Sequence, residues 1–272
     1  MIGAILGDVA GSRFEFNPIK TKRFQLFKAE ECHCTDDTMM TMAVAKALME
    51  SAPDWSDLSL KSVEWMQKIG LDHPRAGYGR RFYYWLTHDI GPYNSFGNGS
   101  AMRVSPVAYA ARSLEEALRL SDTVTAVTHD HPEGIKGARA VTACIFLALH
   151  GATKEEILKH VRENYYPLDR TLKQIRPDYY FDVTCMGSVP ESIQCFAEGN
   201  GCEDTIRNAI SLGGDADTMG AIAGSIAEAF YGVPESWASV AESYLLQADL
   251  WFGLDPYLTD IFREFRNRYI IR

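Results

Sequence analysis

Two short runs of oxygen-bearing residues, Thr35-Asp36-Asp37-Thr38 and Gly213-Gly214-Asp215-Ala216-Asp217-Thr218, constrain this chain more than any other feature. Each stands at the start of an apolar, helix-forming stretch, and more than half of the chain separates them. Asp and Thr at a helix start ordinarily cap free amides and complement the helix dipole. Three consecutive oxygen donors in one run, and D-x-D-T after two glycines in the other, exceed what capping requires. The glycines would let the backbone approach a ligand closely. A fold that joins the runs brings four carboxylates together, and like charges that close stay ionised only around something positive. Two divalent cations meet that need, and hard oxygen donors favour Mg2+ or Mn2+ over zinc. The expectation is a binuclear metal hydrolase.

A hydrophobic content of 46% over 272 residues supports a substantial core. The net charge of −9 and the lack of a Lys/Arg stripe argue against a nucleic-acid partner. The first residues, Met1 to Asp8, carry no positive segment, and their apolar run breaks at Asp8, unlike a secretory signal. The longest apolar stretch, 138–149, is too short to cross a bilayer. A soluble, cytoplasmic protein without a membrane partner, monomeric for preference, is expected. The cysteines (Cys32, Cys34, Cys144, Cys185, Cys195, Cys202) include one C-x-C and no C-x-x-C pair, which fits neither a zinc framework nor disulfide staples. Cys144 and Cys195 read as small core residues.

Helical periodicity runs through 38–49, 58–69, 134–149, 190–198, 203–211 and 218–231, and no alternating strand pattern stands out. Ser113-Leu-Glu-Glu116 and Thr153-Lys-Glu-Glu156 read as capping boxes. The stretch after Asp217 (Gly220, Ala221, Ala223, Gly224, Ser225, Ala227, Ala229) predicts close contact with neighbours, since glycine alone would cost helix stability. Two stretches read as long loops, 70–106 and 165–190. The aromatics of the first (Tyr78, Phe82, Tyr83, Tyr84, Trp85, Tyr93, Phe96) predict ordered pocket walls. The fold class expected is all-α: one compact domain over 1–272, an orthogonal helical bundle with a binuclear metal site in a cleft.

Several blocks occur together in a telling order: Gly7-Asp8-Val-Ala-Gly11-Ser-Arg-Phe-Glu15, Thr35-Asp-Asp-Thr38, Gly77-Tyr78-Gly79 and Ser95-Phe-Gly-Asn-Gly-Ser-Ala-Met-Arg103. Thr128-His129, Ser188-Val-Pro190 and Gly213-Gly-Asp-Ala-Asp-Thr218 complete them. On these the chain resembles the ADP-ribosylglycohydrolase family, which includes the dinitrogenase-reductase-activating glycohydrolase and the ADP-ribosyl-acceptor hydrolases. The resemblance implies that Thr35, Asp36 and Asp37 hold one Mg2+, with Asp217 bridging to a second held by Asp215 and Thr218. It implies an acid/base role for Glu15, which would otherwise read as a surface carboxylate. It also implies ADP-ribose contacts at Ser95, Phe96, Gly97 and Asn98, with Phe96 against adenine, at Gly77, Tyr78 and Gly79 beside the diphosphate, and at His129. Phe96 lacks the hydroxyl of the tyrosine found in some relatives, and Cys34 stands where relatives often carry an aromatic.

Read without the resemblance, Gly97-Asn98-Gly99 is a tight turn and His129 a polar helix-end residue. His129-x-His131 lacks the further His or Cys that a transition-metal site needs. Arg103 reads as a structural partner of a carboxylate.

The resemblance therefore implies Mg2+-dependent cleavage of the glycosidic bond between ADP-ribose and an acceptor, either a protein side chain or an ADP-ribose polymer. The wording around Gly77-Tyr78-Gly79 and Ser188-Val189-Pro190 leans towards the serine and polymer branch. Two rivals remain at this point: a non-catalytic ADP-ribose binder or structural relative, and a binuclear nucleotide phosphohydrolase.

Overall fold

Gly3, Gly7 and Gly11 repeat every four residues and so share one face of a helix. In the computed structural model, which describes residues 1–88 and 90–271, that helix is α1 (Ile2–Gly11). Its glycine face lies against Gly224, Gly220 and Ala216 of α13 (Ala216–Tyr231), so the two helices run antiparallel. A Cβ on Gly3 would stand 2.2 Å from Gly224 O, one on Gly7 2.0 Å from Gly220 O, and one on Gly11 2.3 Å from Ala216 O. The contact is backbone on backbone. The close packing expected of the small residues after Asp217 is therefore present, and its partner is the N-terminal helix, whose helical character the periodicity reading passed over.

A 3-10 turn, Ser12–Phe14, ends α1. A long connection then leads to α2 (Asp36–Ser51). That connection is pinned down: Arg207 Nη1 donates to Lys22 O at 3.0 Å and to Phe24 O at 2.7 Å, and Lys20 Nζ to Tyr179 O at 2.5 Å. Helix α2 is buried on nearly every side, as its Met/Ala-rich sequence requires of a core helix. The chain continues through α3 (Leu58–Asp72), α4 (Arg80–Thr87), α5 (Gly99–Met102), α6 (Ser105–Ala110), α7 (Leu114–Ala126) and α8 (Pro132–Leu149). After α9 (Lys154–Asn164), α10 (Leu172–Ile175), α11 (Cys185–Ala197) and α12 (Cys202–Ile210) comes α13, and α14 (Ser236–Trp251) and α15 (Leu258–Tyr269) close the fold. Among the described residues, extended pairing is confined to one bridge, Gly97 with Thr184. The all-α class expected from the sequence holds, and one core runs from Met1 to Phe265. No described helix is long and apolar enough to cross a membrane.

Several local expectations change. The stretch 70–106 contains α4, α5 and the start of α6, because aromatic-rich and very short helices carry no clear 3.6-residue pattern. Of its aromatics, Phe82 and Trp85 are buried, whereas Tyr83 and Tyr84 face solvent, and Tyr84 stacks on His88. Helix α11 starts at Cys185 and runs through Pro190, which the sequence marks as a start. Proline there frees the carbonyl of Met186, an exposed residue of the first turn, so water can satisfy it. Thr153 and Glu156 form the expected capping box, while Ser113 caps alone: Glu116 instead accepts from Arg112 N at 2.7 Å and from Trp55 Nε1 at 3.1 Å. All the cysteines are free and buried.

The α1–α13 contact leaves no room for a side chain. Gly7→Ala is expected to destabilise the protein by about 3 kcal/mol or more, at the upper end of overpacking, because a carbonyl rather than a flexible side chain must move. Gly91→Ala, with nothing within 4 Å, should stay within about 0.5 kcal/mol. Equal denaturation midpoints for both variants would remove the contact from its central place.

Candidate active site

The α1–α13 contact sets Asp8, one residue beyond Gly7, beside Asp217, in the first turn of α13. Asp8 is fully buried and receives four hydrogen bonds from the start of α2. Thr35 donates from N at 3.0 Å and from Oγ1 at 2.8 Å, Thr38 donates from N at 3.1 Å, and Thr38 Oγ1 adds the fourth. One carboxylate thus ties the start of α2 to α1. The sequence reading used Asp8 only as a break in an apolar run. The signal available was an acid inside a ten-residue helix otherwise fit for burial, where a carboxylate is rare unless paired or functional.

The two acidic runs meet over this anchor. Asp8, Asp37 and Asp217 each offer an oxygen within 4.8 Å of the others, and so do Glu15, Asp215 and Asp217. Asp217 belongs to both groups. Asp37 Oδ2 accepts from Thr218 Oγ1 at 3.2 Å, Thr35 Oγ1, whose proton goes to Asp8, lies 3.3 Å from it, and Asp37 Oδ1 is buried with no hydrogen-bond partner. Asp215 Oδ2 accepts from Asn98 Nδ2 at 2.7 Å. Asp36 lies at the edge, facing the cleft, with its amide bonded to Ala76 O at 2.7 Å. Among the described residues none of these six carboxylates forms an ion pair with Lys, Arg or His.

Burial first, and then the charge of Asp217, raise the proton affinity of these groups. Asp8 is pushed up to about 7 against the opposing bonds from Thr38 and Thr35, and Glu15 is pushed up to about 8. Asp36, Asp37 and Asp215 move in the same direction for the same reasons. Such crowding is costly for bare carboxylates and favourable around a cation. The fit to a metal is good: an all-oxygen donor set, and a buried carboxylate oxygen on Asp37 that no protein group satisfies.

A cleft of about 370 Å³ opens from this cluster. Of the residues anticipated from the sequence, Glu15, Asp36, Asp37, Asp215, Asp217 and Thr218 line it, and so do Gly77, Gly79, Ser95, Gly97, Asn98 and His129. Gly77 has φ +102°, a left-handed conformation that suits glycine and lets the chain pass beside Asp36. Three anticipated residues stand off the cleft. Thr35 braces Asp8, Tyr78 packs on Phe82 with its hydroxyl buried and unpartnered, and the Phe96 ring packs against His131.

Arg103 departs from its expected role. Among the described residues it has no carboxylate partner: its Nη2 donates to Thr128 Oγ1 at 2.7 Å and to Val124 O at 3.4 Å. Burial lowers its proton affinity to about 10, and it remains charged near neutral pH. Since Thr128 Oγ1 accepts from Arg103, its own proton is free for His129 Nδ1, 2.7 Å away. That assigns the proton of the neutral ring to Nε2, the nitrogen nearest Gly97 and Gly99. Burial, with the Arg103 charge beside it, holds His129 well below the ordinary histidine range, so the ring is neutral. Arg103 and Thr128 thereby make His129 a hydrogen-bond donor towards the cleft. Tyr93 and Phe82, two of the aromatics expected to form pocket walls, line the cleft, and so do Arg80, Arg81, Phe16, Phe181 and Val183, which carried no sequence signal of their own.

The raised proton affinities fix a sign. In the unfolded chain these carboxyls titrate near ~4. Below that value both states hold the proton and the stability associated with it is fully present. It is lost as pH rises through the folded values, about 7 for Asp8 and about 8 for Glu15. Chelator-treated protein is therefore expected to show a falling Tm between about pH 5 and pH 8. A divalent cation should raise Tm more at pH 8 than at pH 5, because it displaces protons. A cation-induced shift independent of pH would contradict this account of the cluster.

The sequence model of the ADP-ribosylglycohydrolase family matches residues 1–267. The chain is 26% identical to an ADP-ribosylhydrolase ARH3 of Mus musculus, over 90% of this chain and 86% of that protein. It is 27% identical to the ADP-ribosylarginine hydrolase Tri1 of Pseudomonas putida, over 87% and 71%. With the ADP-ribosyl-[dinitrogen reductase] glycohydrolase of Rhodospirillum rubrum it shares 30% identity over 75% and 72%. A solved ADP-ribosylglycohydrolase-related protein complex has the same fold, with a TM-score of 0.65 and 23% identity over 96% of both chains. The chain belongs to the ADP-ribosylglycohydrolase family and is an enzyme, a glycohydrolase.

Proposed function

We propose that the protein is a Mg2+-dependent hydrolase that cleaves the glycosidic bond between ADP-ribose and an acceptor, a protein side chain or an ADP-ribose polymer, and releases ADP-ribose. The observation that carries this reading is the pair of carboxylate groups sharing Asp217 at the cleft, with Asp37 Oδ1 unsatisfied. Asp8, Asp37, Asp215 and Asp217 offer the converging oxygens, with Asp36 and Thr218 beside them on the cleft and Thr35 bracing Asp8, and hard oxygens of this kind favour Mg2+, with Mn2+ as the substitute. When bound, the cations supply Lewis-acid orientation of the sugar hydroxyls beside the scissile bond.

The remaining work falls to side chains. Hydrolysis breaks the bond from the anomeric carbon to the acceptor, joins water oxygen to that carbon and leaves the water's proton on the acceptor atom. Glu15 is suited to pass that proton, since its half-buried carboxyl lines the cleft and lies with Asp215 and Asp217. Asn98 fixes Asp215 by its 2.7 Å bond. Arg80 and the open backbone at Gly77 and Gly79 suit the diphosphate, and His129 Nε2–H suits a sugar or phosphate oxygen. Phe96 is part-exposed next to Ser95 and Gly97, and stacking on adenine would require its ring to turn away from His131. The names of the relatives support an ADP-ribosylated protein as partner. A cytoplasmic, monomeric protein completes the reading.

The test is product analysis on arginine-linked, serine-linked and polymeric ADP-ribose, with Mg2+ and with a chelator. Chelator-sensitive release of ADP-ribose is expected. AMP as product, or saturable binding without turnover, would replace this reading by diphosphate cleavage or by a binder. Asp217→Asn should lower metal affinity and turnover together by at least ~100-fold, judged from losses at supporting ligands. Glu15→Gln should keep ADP-ribose affinity and lose about 100- to 10,000-fold in kcat, and an unimpaired kcat would remove Glu15 from the mechanism.

A further inference from the structure

Two large apolar side chains stand partly open at the cleft and pack against each other. Phe16 is 82% exposed and Phe181 42% exposed, and both line the cleft. Their ring centroids are 5.9 Å apart at an interplanar angle of 33°. Val183, also exposed, lines the cleft beside them. Exposed phenylalanine stabilises nothing in the free fold, and neither ring belongs to the core.

The segments that carry the rings adjoin the carboxylate cluster. Phe16 directly follows Glu15, which groups with Asp215 and Asp217. The 181–183 segment is tied through Val183 O, which accepts from Asn98 N at 2.8 Å, and the same Asn98 bonds Asp215. Tyr179 packs against Gly214 and donates to Gly187 O at 2.7 Å, which anchors the segment at both ends. The rings are too close for a third ring to enter between them, so they offer one continuous apolar shelf.

Resting on the proposed reaction, the direction of the leaving group follows from proton transfer. A group that hands a proton to the departing atom must lie within hydrogen-bond reach of it. Phe16 adjoins Glu15 in sequence and lines the same cleft with Phe181, which puts the apolar shelf within reach of the departing acceptor. We propose that Phe16 and Phe181 form the acceptor subsite and select conjugates whose acceptor carries an apolar or aromatic group next to the scissile bond. Arg80 and Arg81, which also line the cleft, serve the anionic half of the substrate, so the cleft divides its chemistry between the two halves.

The test compares two synthetic conjugates, 4-nitrophenyl and methyl ADP-ribose, on wild type, Phe16→Ala, Phe181→Ala and the double variant, with Phe16→Leu as the shape-conserving control. The expected result is a rise in KM for the nitrophenyl conjugate that exceeds the rise for the methyl conjugate by about two- to tenfold in the double variant. Phe16→Leu should recover part of that loss. Inhibition by ADP-ribose, which lacks an acceptor, should move less than the nitrophenyl KM. Equal KM changes for the two conjugates, a loss confined to kcat, or weakened ADP-ribose inhibition of the same size would overturn the assignment while leaving the reaction intact. Release of ADP-ribose by wild type from neither conjugate nor from the protein and polymer substrates above would overturn the reaction and the subsite together.

Discussion

Contact between the backbones of α1 and α13 is the constraint on which the site depends. With glycine at 3, 7 and 11 facing Gly224, Gly220 and Ala216, the helices approach until a carbonyl of one occupies the space a side chain would need on the other. Dispersion and the loss of water from this face offset the low helix propensity of glycine. Side chains at the edge of so close a contact have little freedom. Asp8 and Asp217 sit at that edge, and their spacing is therefore a property of the helix pair. Through Asp8 the start of α2 is drawn in, and through Asp217 the second acidic run.

The same rigidity carries an electrostatic cost. Six carboxyl groups occupy a small, partly dry volume, and proton affinity rises at every one whose shift is resolved. A chain selected only for stability would replace such groups by apolar ones or pair them with arginine. Arg103 is buried nearby, yet its hydrogen bonds go to Thr128 and Val124, where it orients His129 instead of neutralising the cluster. Unpaired negative charge is thus kept where a cation can use it, and the surrounding packing keeps it from collapsing.

Phe16 and Phe181 show the complementary economy at the cleft mouth, where apolar surface remains exposed instead of being folded away. Phe16 adjoins Glu15 in sequence, and the Phe181 segment is bonded through Val183 to Asn98, which also bonds Asp215. Val183, Asn98 and Asp215 form a short hydrogen-bonded chain between these two functions.

Much of this was legible from residues alone. The two acidic runs and the helical periodicity pointed to an all-α metal hydrolase, because side-chain chemistry and helical period are local properties, and the resemblance carried by the motif blocks narrowed this to a glycohydrolase. The helix 2–11 escaped notice since glycine every four residues reads as helix-breaking until its partner surface is known. Asp8 escaped because one acid in an apolar run reads as an interruption; only the hydrogen bonds from Thr35 and Thr38 make it an anchor. Tyr78 and Phe96 sit in matching motifs, yet their rings pack on Phe82 and His131, a choice made by neighbours distant in sequence. The sequence by itself determined which donor groups exist and which helices can carry them. Which carboxylates share an oxygen cage, which nitrogen of His129 holds the proton and which aromatics face the cleft were decided by the tertiary structure, because these depend on distances between residues that the chain's local rules do not set.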